Sequence, residues 1–426
     1  MYDWAQPLVL VGAAIWLAAT GASADAARPP WMPVAPALPV VGRTVHVSTV
    51  TQLQEAIAQA RDGDTVLLAD GVYQLDRFIQ LRGLTGVTLR GASGDASKVE
   101  LRGIGWDSDE RDDILRIQAC TDITVAYLTF AECRAYGIKL EQTPWEGRQL
   151  KDIRIHACDF RNIGTRAIKG TGGGGGFVDG GSIRYCNFEN TKVPPNTWLY
   201  DGDYISAIDC MRLRGWQIAD NYFHNIRGAN GGGRGAIFVW VESRDVVAER
   251  NVFVNCDRSI AYGNPSASTE RGAQPHMTGG IIRNNFVVSG ADTGIELSWV
   301  KDVLVCHNTV LAGSADGSAI HYHWREISGV EVIGNIVRGR IHGDEGGVSR
   351  SDNLTEGIQD CWFSDAAAGD LHLTPDAQLG EVPRLGRCPT DFDSKPRQDP
   401  TTPGADEPPR AAAGALPYDS CRGSGP

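Results

Sequence analysis

The sequence predicts an all-β solenoid: a coil of parallel strands, opened by one short helix. Three observations predict it. Apolar anchors Phe130, Phe160, Phe188, Phe223, Phe253, Phe286, Val310 and Val337 recur at spacings of 30, 28, 35, 30, 33, 24 and 27 residues. Repeats of about 20–50 residues mark units that bury their apolar face only against neighbouring units. Asparagines recur with the anchors: Asn221, Asn251, Asn284, Asn308 and Asn335 each stand two residues before one. Stacked at one bend of a coil, such side chains satisfy backbone groups that would otherwise be buried without partners. A second column repeats the phase, with Ile138, Ile168, Ile208, Ile237, Ile260, Ile295 and Ile320 each following Gly, Ala or Ser. Variable spacing excludes helical and leucine-rich repeats, whose units are tighter; a parallel coil absorbs it, because loops of any length project between stacked strands.

The elements follow in order. Residues 1–24 read as a secretory signal: an apolar run, "LVLVGAAIWLAA", then Ala22-Ser23-Ala24 at the cleavage point, although "MYDWAQP" before it has no Lys or Arg. A secreted or periplasmic protein is expected, with no stable membrane insertion, since no later stretch reaches the ~18 apolar residues of a span. Residues 25–44 form a linker. Val45–Val47 is a strand, and Thr51 with Gln54 makes a capping box for a helix over Leu53, Ala56 and Ile57 that covers the strand edges of the first coil. The coil runs over residues 45–358. Residues 359–390 form a C-terminal capping segment, and 391–426 a Pro/Gly/Ala-rich tail expected to be disordered. Of the ten cysteines, Cys361 and Cys388 are expected to form a disulfide, and Cys158 and Cys186, at matching repeat positions, to be buried thiols. No CxxC pair suggests a structural zinc site.

Net charge is −12, from 40 basic and 52 acidic residues. This excludes a general nucleic-acid binder, which needs a basic footprint. A monomer that binds a polysaccharide is expected, and an acidic polymer requires positive charge gathered locally.

"AIAQARDGDTVLLADGVY" and the "RNNF" and "CHNTV" coils resemble the right-handed parallel β-helix proteins of the pectin-lyase-like superfamily, over residues 45–375. The resemblance implies the fold. It does not imply one activity, because the group contains lyases, glycoside hydrolases, epimerases and non-enzymatic surface proteins. The consecutive aspartates and Gly-His-Gly of pectin hydrolases are absent, as are the Asp-Pro-His-Asp of alginate epimerases and the lysine-centred phrase of alginate and chondroitin lyases. Every role below is therefore inferred from position.

If the isoleucines point inward, the residues one and three beyond each face outward. That face holds Lys139 and Lys169, then Phe238 and Trp240, an Ala261/Gly263 floor, and Glu296, His321 and His323. Coils stack about 4.8 Å apart, so Glu296 and His321 stand on adjacent levels and Trp240 about 10 Å from Glu296. Trp240 and Phe238 are candidate sugar platforms; a place beneath a loop is the alternative. The two lysines repel one another and would accept an anion. Glu296 and His321 are candidate acid/base groups or else a surface ion pair, and His323 a binding or packing residue. Arg258 either neutralises substrate or ties coils together. The longest insertions bring Trp198 and Tyr200 as candidate substrate contacts, Asp201 and Asp203, and His276 as a candidate catalytic residue, while "GANGGGRG" brings Arg234. Asp201 and Asp203 are candidate calcium ligands through hard oxygens, or simply an Asp-rich turn.

β-Elimination from a uronate needs a base, here His321 or Lys169, and a cation for the carboxylate, here Arg234 or Arg258. Glycoside hydrolysis needs two carboxyl groups about 5–5.5 or 6.5–9.5 Å apart, and Glu296 has no obvious partner. A polysaccharide lyase is the favoured reading; a glycoside hydrolase or a non-catalytic carbohydrate-binding protein is the alternative.

Overall fold

The structure, a computed structural model, describes residues 28–408 except 111, 172–175, 266–273, 324–326 and 345. The segment read as a signal peptide lies outside the described residues. Each coil contributes one strand to each of three parallel sheets. Thr121–Ala126, Thr129–Cys133 and Tyr136–Glu141 enter sheets A, B and C in turn, and Lys151–His156 then returns to sheet A one level further on. Sheets B and C each stack ten strands among the described residues.

Both anticipated columns exist. Ile138, Ile168, Ile208, Ile237, Ile260, Ile295 and Ile320 pair rung to rung in sheet C and are fully buried. The small residue before each has a steric cause: a Cβ on Gly137 would lie 2.7 Å from the Ala167 carbonyl oxygen, and one on Gly294 as close to that of Ala319. In sheet B, Phe130, Phe160, Phe188, Phe223 and Phe253 stack with ring centroids 4.7–5.1 Å apart. Each buried ring contributes about 1.5–3 kcal/mol relative to an exposed one.

The phase slips at one place. Phe253 pairs with Val287, not Phe286, and Val287 continues to Val310 and Val337. Shifting a strand by one residue exchanges its faces. Phe286 therefore points outward, and the asparagine ladder contains Asn285 in place of the expected Asn284. It runs Asn221, Asn251, Asn285, Asn308, Asn335, Asn353; the backbone N–H and side-chain amide of each donate to the next Oδ1 at 2.8–3.1 Å. The same amides also donate to carbonyls of the preceding coil, such as Ala248 from Asn285.

Helix α1 spans Val50–Ala58 and buries Leu53 and Ile57. Its N-cap is Thr49, not Thr51: the Thr49 hydroxyl accepts from the Gln52 N–H, and the Gln52 side chain accepts from the Ser48 N–H. The box lies two residues earlier than expected because Thr49 is the last residue with extended backbone.

The chain ends lie along the coil. Residues 28–44 form a strap in which the Leu38 N–H donates to the Tyr127 hydroxyl and the Arg28 guanidinium to the Asp220 carbonyl. Trp362, Phe363, Leu371 and Leu373 cover the outward Tyr222, Val252 and Phe286 of sheet B. Of the tail expected to be disordered, 391–426, Asp391 to Glu407 is packed, and residues 409–426 lie outside the described residues. Phe392 stacks on Phe286 at 4.0 Å, and the buried Arg397 donates to Asn284. Outward Phe286 supplies the apolar seat that a sequence rich in Pro and Gly does not advertise. Cys361 does not pair with Cys388, because Cys388 is a buried free thiol packed beside Cys306 on the other flank. Cys158 and Cys186 are buried thiols, as expected.

Candidate functional site

The outward face of sheet C has the anticipated register: Lys139, Lys169, Asp209, Phe238, Ala261, Glu296, His321 and then His342 occupy successive rungs. Its exposure differs from the expectation, because insertions fold down over its middle.

Trp240 is 4% exposed and offers no open platform. It stacks on Phe238 at 5.3 Å, meets the edge of His276 at 5.7 Å, and donates its indole N–H to Asp209 at 3.0 Å. His276, expected to be functional, is buried, and its Nδ1 accepts the Asn264 N–H at 2.9 Å. The His276 imidazole packs between Trp240 and Trp299 and covers this stretch. Lys169 is 4% exposed and lies 2.9 Å from Asp209, which also accepts from Arg166 Nε at 2.6 Å. Burial pushes the Asp209 pKa up, but Lys169 and Arg166 outweigh it and hold the carboxyl at about 2. Lys169 is thus buried and tied to Asp209, away from any substrate. Lys139 pairs with Glu141 at 2.6 Å, so the two lysines do not form an anion site.

The first long insertion is structural over part of its length. Trp198 stacks at 4.5 Å on the Arg134 guanidinium and 5.4 Å from Trp106. Asp203 accepts from the Asn230 N–H at 3.0 Å and the Asp201 carbonyl from its side chain, which ties this loop to the glycine-rich one. Asp203 is held as a loop tie, not set out for calcium; the Asp-rich-turn alternative describes it. Tyr200 is 62% exposed and stands 5.1 Å from the Arg234 guanidinium. Burial, then the charges of Arg258 and Arg166, lower the Arg234 pKa.

Further along, the imidazoles of His321, His323 and His342 are partly exposed. Glu296 is 3% exposed yet lies outside the coil. Its Oε1 is 3.0 Å from His323 Nε2, and its Oε2 is 3.0 Å from an Arg258 nitrogen. The second contact pairs charges off the axis of a hydrogen bond, so Oε2 has no hydrogen-bond donor. Arg258 also binds Asp292. It ties coils together and stands beside the candidate site, joining two roles weighed separately. Burial raises the Glu296 pKa, but the His323 hydrogen bond and Arg258 outweigh it and lower it. The half-buried His321 does not bond Glu296 directly; its ring stacks on His323 at 4.0 Å and on His342 at 4.3 Å. Burial, then His323 and His342, bring the His321 pKa down to about 4. Burial likewise lowers that of His342, whose Nε2 lies 2.9 Å from the Ser318 hydroxyl.

His342 and Asp292 were not anticipated. "RIHG" repeats the Ile-His step of "AIHYH" one coil later, but Arg340 replaces the small residue that marks the other isoleucines.

No protein-family model and no curated protein matches the chain. Among solved structures it is similar to the pectate lyase Pel9A, at 10% identity over 86% of this chain and 97% of that one, with a TM-score of 0.51. It is also similar to a PL6 alginate lyase in complex with a trisaccharide (15% identity, 75% and 81% covered, TM-score 0.47). A third is the PL6 alginate lyase AlyGC (14%, 80% and 54%, TM-score 0.39), of whose length the chain spans about half. Identities this low show the fold alone: a right-handed parallel β-helix.

Proposed function

We propose that this protein is an exported, monomeric polysaccharide lyase that cleaves a uronate-containing polymer by β-elimination at the open end of sheet C. The observation that carries the reading is the chemical content of that end. Three stacked imidazoles stand beside guanidiniums, and its carboxylates, Glu296 and Asp292, share Arg258. A hydrolase needs one carboxyl protonated, and pairing to a guanidinium favours the charged form. Asp209 lies three rungs from Glu296, about 14 Å, too far to be the second group. Elimination uses what is present. An imidazole of the His321–His342 pair takes the C5 proton, and the electron pair moves onto the uronate carboxylate, stabilised by Arg234. It then returns to form the C4–C5 double bond as the C4–O bond breaks, and the departing glycosidic oxygen takes the proton now carried by the imidazolium. Among the described residues no helix is long and apolar enough to cross a membrane.

The test is incubation with alginate, polygalacturonate and neutral glucans, following ultraviolet absorbance of unsaturated uronate and reducing ends in parallel. The expected result is absorbance with an acidic polymer, reduced at least ~100-fold in His342→Ala. Reducing ends without absorbance would instead make it a hydrolase; binding with neither product would make it a carbohydrate-binding protein.

A further inference from the structure

We infer that Glu296, His321 and His323 form a binding site for a divalent transition ion of the zinc type. One ligand atom from each lies within 4.8 Å of the others. A tetrahedral zinc ion holds its ligands roughly 3.3 Å apart, and Glu296 Oε1 and His323 Nε2 are already at 3.0 Å. In that pair a proton occupies the place a metal would take. The His321 and His323 rings are stacked face to face, 4.0 Å between centroids and 4° from parallel, so one ring turns about its side-chain bonds when both direct a nitrogen at one ion. Both sit on Ser318–His323, a strand hydrogen-bonded to the one carrying Glu296, so the donors are mounted on rigid backbone.

The surroundings support the same reading. Glu296 is buried, and its Oε2 lacks a hydrogen-bond donor although Arg258 lies 3.0 Å away. A carboxylate steadied by a guanidinium through one oxygen, with the other facing imidazoles, has the outer support that metal ligands characteristically receive. The donor set decides the ion. Calcium takes six to eight oxygens, whereas two imidazoles and one carboxylate suit zinc and its neighbours. Three protein ligands leave a fourth position for water or a substrate oxygen, as in catalytic zinc sites. His342, stacked on the far side of His321 with Nε2 on Ser318, stays outside the set and remains available as a base.

The site rests on residues shared with the proposed lyase centre, so the test reads metal without substrate. Full-length protein is stripped with a chelator, and zinc alone is titrated in by calorimetry, with bound metal counted after desalting. The expected result is one zinc per chain, a raised Tm, and at least a ~100-fold weaker Kd in His323→Ala and in His321→Ala. Calcium at the same concentration leaves Tm unchanged. Zinc that binds wild type and the double variant H321A/H323A equally, or not at all, overturns the site. Glu296→Gln could loosen Arg258, so the two histidine variants, with circular dichroism of wild-type shape, are the deciding ones. Zinc binding without eliminase activity on any polymer leaves the site standing and removes the lyase reading. Full eliminase activity in chelated protein that binds no zinc does the reverse.

Discussion

Two stretches of one face invite comparison. From Lys139 to Trp240 and from Glu296 to His342, the outward residues of sheet C occupy equivalent rungs on one scaffold. In the first stretch the charges are neutralised internally: Asp209 is ringed by Arg166, Lys169 and the Trp240 indole, with Tyr204 3.8 Å over Arg166. In the second, His321 and His342 stay half-buried and Glu296 keeps an oxygen without a hydrogen-bond donor. The insertions make the difference. Loops carrying Tyr204 and His276 fold onto the first stretch and convert potential ligands into buried structure.

The sharpest way to break the comparison is Asp209→Ala. It strands two buried cations and should cost about 3–5 kcal/mol, read by denaturant unfolding. The matching change in the open stretch, Glu296→Gln, should cost only about 1–3 kcal/mol, because Arg258 keeps Asp292. Equal losses would erase the distinction between sealed and open stretches. At the bend between sheets A and B runs the asparagine ladder; Asn285→Ala leaves neighbouring amides without acceptors and should lose about 1–3 kcal/mol, more than Asn353→Ala at the ladder's end.

A pH test sharpens the contrast with the C-terminal segment. There His372 lies between Asp370 at 2.5 Å and Asp393 at 3.1 Å, among Trp31, Phe286 and Phe392. Burial lowers its pKa, but the two carboxylates outweigh this and raise it to about 10. Chiefly through His372, Asp393 is held at about 2. A raised histidine stabilises the fold fully below its ordinary value of about 6.5 and loses that contribution as pH climbs to about 10. A lowered carboxyl does so above about 3.8 and loses it as pH falls to about 2. The clamp is therefore strongest between about pH 4 and 6.5. Amide exchange of residues 362–373 should quicken on going from pH 6 to 10 beyond the intrinsic rate, and His372→Ala should flatten that excess. The smallest effect is expected from His342→Ala, within about 0.5 kcal/mol in stability, since it alters a half-exposed ring.

Much of this was legible. The isoleucine phase and the small residues before it are local: period-two alternation and a clash at one Cβ suffice to read them. The rungs of Glu296 and His321 followed directly. The slip at Phe286 was not legible, because "RNNF" fits either phase and the choice depends on Phe392 and Trp31 waiting outside. Nor did proximity in sequence settle Cys361 and Cys388, since a disulfide depends on spatial separation. Trp240 and His276 looked available because coverage is set by where an insertion lands.

The sequence by itself determined the coil, its inward columns and the order of residues along its outer face, because those follow from strand periodicity and nearest-neighbour stacking. Only the tertiary structure decided which of those residues meet solvent and which meet one another. Loop placement and charge pairing bring together groups far apart in the chain, and no local pattern records where they will close.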